Sequence, residues 1–124
     1  MDMAEMNTEA EKREYAISTV KPWSTSVNDI LNYVEPEIAT ILDKAGARVH
    51  ILRAELFSNV ENFLNYLNMG SGDEVIVVTS VRDASMLPTI TRTVMAKGAI
   101  VRTFISYKLP ASTFVIGIVK GLNL

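Results

Sequence analysis

Residues 73–81 read DEVIVVTSV, and this stretch decides the fold class. Val75 to Val78 form an unbroken β-branched run between an acidic entry and Thr79-Ser80. A half-solvated strand alternates apolar and polar residues, whereas a continuous apolar run marks a strand covered on both faces. Upstream, ARVHILR (47–53) reads as another strand, followed by LFSNVENFLNYLNMG (56–70). In that second segment Ser58 and Glu61 have capping-box spacing, Phe57, Val60, Phe63, Leu64 and Leu67 form a helical stripe, and Gly70 closes it. Downstream, a helix is expected over about residues 85–97, with Ser85 as its cap, Pro88 in its first turn and Gly98 at its end. AIVRTFISY and STFVIGIVKG then read as two strands joined by the turn KLPA, a hairpin. Helix, glycine and strand follow one another three times, at Gly46, Gly70 and Gly98, which points to an α/β domain built on a mixed sheet.

The first part of the chain reads differently. Residues 1–14 lack periodicity and form a flexible acidic tail, and YAISTV (15–20) is a short strand or extended arm. Ser26 has Asp29 three residues on, as a helix start does. Val27, Ile30, Leu31, Val34, Ile38, Ile41, Leu42 and Ala45 keep helical spacing up to Gly46. Pro36 interrupts them, so a kink or two abutting helices are expected. The expected organisation is one domain over 15–124, with an arm and kinked helix over 15–46 and a core over 47–124.

Composition narrows the function classes. Apolar residues make up 48% of the 124, enough for a core, and there is no cysteine, which removes disulfides, thiolate nucleophiles and the usual structural zinc sites. No apolar run nears the roughly 20 residues of a membrane span. MDMAEMNTEAEKREY is polar and acidic, unlike a secretory signal, so a cytoplasmic location without membrane contact is expected. Net charge is −2, but residues 1–45 hold nine acidic and four basic residues while 46–124 hold five acidic and eight basic. That asymmetry reads as an acidic arm, a surface for a protein partner, on a mildly basic domain.

Catalytic chemistry is thinly represented. His50 is the only histidine, placed mid-strand, where it reads as a packed or half-exposed strand residue. Asp73 and Glu74 fall on opposite faces of what reads as a solvated strand entry, and no glycine-rich stretch has phosphate-loop spacing. No cofactor or metal is expected. The segment VVTSVRDAS (77–85) is the most suggestive, because it leads from the carboxyl end of a buried strand into a helix, the corner where open α/β sheets bind ligands. Arg82 can give a bidentate phosphate contact there, with Ser80 and Ser85 supplying hydroxyls. Equally, Ser80, Asp83 and Ser85 can serve only as caps, with Arg82 paired to Asp83 in solvent. Arg53 would share the sheet edge with Arg82 if their strands are parallel neighbours, and Lys108 in the hairpin turn is a third candidate cation. Trp23 and Tyr107 can stack on bases, although a lone tryptophan beside Lys-Pro also serves to anchor an arm.

The order strand–helix–strand–helix–strand–strand over residues 47–124 resembles the Alba family, small dimeric archaeal and eukaryotic proteins that coat DNA or bind RNA. Ile51 to Val60 lie in register with that family's I-G-K-K-P-V-x-N-Y-V loop, and Tyr66-Leu67-Asn68-Met69-Gly70 matches its L-L-N-x-G helix end. Val75 to Met86 align with I-V-I-K-A-R-G-R-A-I-S-K, which puts an arginine at Arg82 and a serine at Ser85. The paired loop lysines are Arg53 and Ala54 here, the turn glycine is Val81, the lysine after the serine is Met86, and the long basic hairpin shrinks to KLPA. The C-terminal domain of bacterial translation initiation factor three shares the same order of elements.

The resemblance implies a two-layer Alba-like core and a homodimer that binds nucleic acid non-catalytically, through non-specific phosphate contacts from Arg53, Arg82 and Lys108. An exposed hairpin edge would also invite dimerisation. Two other readings stand beside it. One is a protein-interaction module that lost the nucleic-acid surface. The other is a Rossmann-like small-ligand domain in which YAISTV supplies a fifth strand.

Overall fold

A computed structural model describes residues 30–46, 48–53, 64–65 and 67–121. Their elements are α1 (Pro36–Leu42), a short 3-10 helix (Asp43–Ala45), β1 (Val49–Arg53), β2 (Glu74–Ser80), a second 3-10 helix (Val81–Met86), α2 (Leu87–Met95), β3 (Ile100–Ser106) and β4 (Thr113–Val119). The tail, YAISTV, Trp23, the Ser26 start and the Ser58–Glu61 capping box lie outside the described residues. Among the described residues no helix is long and apolar enough to cross a membrane.

The valine run is β2, and Val75 through Ser80 are buried. β2 pairs in parallel with β3, from Glu74↔Ile100 to Ser80↔Ser106, and antiparallel with β4, from Glu74↔Val119 to Thr79↔Phe114. β4 pairs antiparallel with β1 on its other side, giving the order β1–β4–β2–β3. Two expectations are corrected here. β3 and β4 do not form a hairpin, because β2 lies between them and the KLPA segment crosses the end of β2. A strand buried on both faces needs both of its edges hydrogen-bonded, and β4 supplies the edge that β3 leaves open. For the same reason β1 and β2, although parallel in direction, are not neighbours.

Strand alternation divides the core into two clusters. Val75 and Val77 of β2 pack with Leu52, Phe114, Ile116 and Ile118, and with Ile90 and Val94, which are four apart on α2 and therefore share one helical face. Ile76 and Val78 pack with Val49 and Val115, and with Ile38, Ala39 and Leu42 of α1. Each large side chain so buried contributes about 1.5–3 kcal/mol. Pro36 occupies the first turn of α1, where its missing N–H costs nothing, so the helical stripe breaks there and restarts. The close seat of α1 depends on Gly117, since a Cβ at that position would lie 2.9 Å from Leu42 Cδ2. Gly98 closes the turn after α2 at φ +90°, a conformation open to glycine.

The carboxylate of Asp73 ties the start of β2 to the end of β4, which lie side by side at one end of the sheet. It accepts from the N–H of Gly70 (2.9 Å), from Lys120 Nζ (2.8 Å) and from the N–H of Gly121 (2.9 Å). The contact from Lys120, then that from the Gly121 N–H, hold its pKa down to about 2. The residue read as a solvated strand entry is thus a buried clasp.

Candidate functional site

The site forms where β2 and β3 end. Ser80, the last residue of β2, caps the following 3-10 helix: its Oγ accepts from the N–H of Asp83 at 3.3 Å and donates to Asp83 Oδ2 at 2.6 Å. The same carboxylate oxygen accepts the N–H of Ser112 at 2.7 Å. Asp83 is therefore turned toward Ser80 and the β3–β4 connection, and it does not pair with Arg82. The described ion pairs are Arg102–Glu74 and Lys120–Asp73, so Arg82, which is exposed, carries its charge without an acidic partner among the described residues. Ser85 is exposed and is not the cap. The first turn after β2 is 3-10, so the capping position falls at Ser80, and α2 begins after Met86 with no side-chain cap.

At the end of β3, Ser106 is buried and its hydroxyl donates to Glu35 Oε1 at 2.6 Å, with the carbonyl of Tyr33 at 3.1 Å. Glu35 Oε2 accepts the Tyr107 N–H at 3.0 Å. Burial pushes the Glu35 pKa up, but the bonds from Ser106 and Tyr107 outweigh it and hold the carboxyl below its ordinary value. Lys108 donates from Nζ to the carbonyl of Leu31 at 2.8 Å. With its backbone pinned by Glu35, Tyr107 projects into solvent at 84% exposure.

These residues frame an open groove of about 330 Å³ lined by Ser80, Val81, Arg82, Tyr107, Leu109, Pro110 and Ala111. Among the described residues no acidic side chain lines it. Of the five expected site residues, Ser80 and Arg82 are brought together here, with Ser80 held by Asp83. Lys108 flanks the groove but reaches toward Leu31, and Ser85 lies farther along the 3-10 helix outside it. Arg53 ends β1 opposite Thr113, at the same end of the sheet but beyond β4. The sequence reading missed the Glu35 clasp entirely, because its partners are 71 and 72 residues away. Asp83 was read as a cap or a surface pair, and its bond to Ser112 had no local signal.

His50 is half-buried in β1 opposite Ile116, and burial lowers its pKa, so the ring is neutral at pH 7. Among the described residues no group of three or more His, Asp or Glu side chains is arranged to hold a metal. The arrangement offers the Arg82 guanidinium, unpaired among the described residues, the exposed Tyr107 ring and an apolar floor. Such a surface can hold a phosphate beside a flat ring. Compared with protein families, curated proteins and solved structures, the chain matches none.

Proposed function

We propose that the chain is a non-catalytic, Alba-like nucleic-acid-binding protein that makes weak, sequence-independent contacts through the groove at the end of β2 and β3. The observation that carries this reading is that Arg82, free of any acidic partner among the described residues, and Tyr107, 84% exposed, line the same groove. Arg82 takes a phosphate with two parallel N–H donors, and the Tyr107 ring stacks on an adjacent base. Lys108 and Arg53, at the same end of the sheet, add longer-range attraction. The basic excess of residues 46–124 favours approach of a polyanion, while the acidic 1–45 segment opposes it.

The test is fluorescence anisotropy with labelled DNA and RNA oligonucleotides on wild type, Arg82→Ala and Tyr107→Leu. Both side chains are exposed, so neither substitution threatens the core. Arg82→Ala is expected to weaken binding evenly across sequences, and Tyr107→Leu to weaken single strands more than duplex. Wild-type affinity in both variants would refute the site. A protein-interaction module is the second reading, favoured by the apolar residues exposed on β3, Ile100 at 63% and Ile105 at 42%.

A further inference from the structure

We infer that Glu35 is a positioning residue for the groove: its carboxylate holds residues 106–108 in place and so keeps the Tyr107 ring where a base can stack on it. The inference rests on the nucleic-acid reading of the groove and adds the residue on which its stacking contact depends. Tyr107 is not held by its own side chain, which is almost wholly exposed and makes no hydrogen bond among the described residues. The pairing of β3 with β2 ends at Ser80↔Ser106, so Tyr107 is also the first residue beyond the ladder. What fixes it is one carboxylate used at both oxygens. Glu35 Oε1 accepts the Ser106 hydroxyl at 2.6 Å, and Oε2 accepts the Tyr107 N–H at 3.0 Å. Ser106 Oγ in turn accepts the Lys108 N–H at 3.1 Å, so three consecutive residues hang from Glu35. Two-point attachment to a planar carboxylate fixes direction as well as distance. The Lys108 Nζ contact to Leu31 comes from the tip of a long exposed side chain and restrains the backbone of residue 107 far less.

The carboxylate itself has a stiff base. Glu35 is the N-cap of α1 at φ −67° and ψ 157°, the extended backbone that a following proline imposes. A side chain at that position commonly caps its own helix, yet Glu35 makes no such bond and serves the groove instead. A negative charge behind a phosphate-binding surface opposes a polyanion, and this gives the two roles opposite signs. If Glu35 acted through its charge alone, neutralising it would strengthen binding whichever residue replaced it. If it positions Tyr107, removing the side chain weakens single-strand binding and an amide of the same shape restores it. In Glu35→Gln, Oε1 accepts the Tyr107 N–H and Nε2 donates to Ser106 Oγ, whose own proton passes to the Tyr33 carbonyl 3.1 Å away.

Anisotropy with labelled single-stranded oligothymidylate and a labelled DNA duplex tests this on wild type, Glu35→Ala, Glu35→Gln, Tyr107→Leu and the Glu35→Ala/Tyr107→Leu double variant, each checked for fold by circular dichroism. Tyr107→Leu should weaken single-strand binding about fivefold or more. Glu35→Ala should approach that loss, lose less on duplex, and add nothing further in the double variant, while Glu35→Gln should bind as wild type does. Amide hydrogen exchange on the free protein reads the same contact without nucleic acid: the Tyr107 N–H should be protected in wild type and Glu35→Gln and exchange fast in Glu35→Ala. Single-strand binding by Glu35→Ala at or above the wild-type level overturns the inference. So do losses that add in the double variant, or a Tyr107 N–H unprotected in wild type. A wild type that binds neither oligonucleotide removes the reading of the groove, and this inference with it, even where exchange shows the contact intact.

Discussion

Replacing Asp73 with asparagine removes one charge from a buried three-way clasp and keeps the side-chain shape. In the wild type the carboxylate binds Lys120 and the N–H groups of Gly70 and Gly121, which joins the end of β4 to the turn that feeds β2. Its side chain is 7% exposed, and Lys120's is 32% exposed. Lowering the carboxyl from 3.8 to about 2 corresponds to roughly 2.4 kcal/mol in favour of the folded state at pH 7. Solvent around the partly exposed lysine screens some of this, so about 1–2 kcal/mol is expected. In Asp73→Asn the amide NH2 can accept none of the three donors, and the remaining carbonyl serves one side only.

Because the folded-state pKa lies below the unfolded one, the folded chain holds fewer protons. The stabilisation is complete above about pH 4 and is lost as pH falls through about 2. Urea unfolding followed by circular dichroism should therefore show the variant less stable at pH 7 with an unchanged m-value, and the gap should shrink toward pH 2. A gap of equal size at both pH values, or none at pH 7, would refute the assignment of the charge as the source.

Three further substitutions probe other parts of the structure. Gly121→Ala should cost about 2–4 kcal/mol in thermal unfolding, because the new Cβ would overlap the carbonyl of Gly72, lying 2.7 Å from its carbon, and backbone cannot give way as a side chain does. Thr79→Val should raise stability in urea unfolding by roughly 1 kcal/mol, since the buried Thr79 hydroxyl has no hydrogen-bond partner among the described residues and valine keeps its shape. His50 has a folded-state pKa below 6.5, so the unfolded chain takes up protons first, and wild-type stability should fall as pH drops through 6.5. In His50→Gln that part of the pH dependence should vanish, and an unchanged profile would show that another group is responsible.

What could be read from the sequence was what depends on neighbours in the chain. β2 declared itself through Val75 to Val78, α2 through Pro88 in its first turn and Gly98 at its end, and the break at Pro36 through proline's missing N–H. Strand order was not legible. A connection as short as KLPA normally joins paired neighbours, and only the burial of both β2 edges forces β3 and β4 apart. The position of Ser80 and Arg82 at the carboxyl end of β2 was legible because they follow directly from the valine run. Ser85 was misassigned as the cap because a 3-10 turn moves the capping position to Ser80. Lys108 looked free in sequence, yet it reaches a carbonyl 77 residues away, and Asp73 looked solvated although its lysine partner is 47 residues away. Those pairings arise only once the sheet brings distant segments together.

The most direct measurement is the salt dependence of oligonucleotide binding by anisotropy, for wild type and Arg82→Ala side by side. A small phosphate-binding rim with two or three cations should give a log–log slope of about two to three on duplex DNA, and Arg82→Ala should reduce it by about one. No binding at low salt, or a slope that Arg82→Ala leaves unchanged, would contradict a nucleic-acid role for this groove.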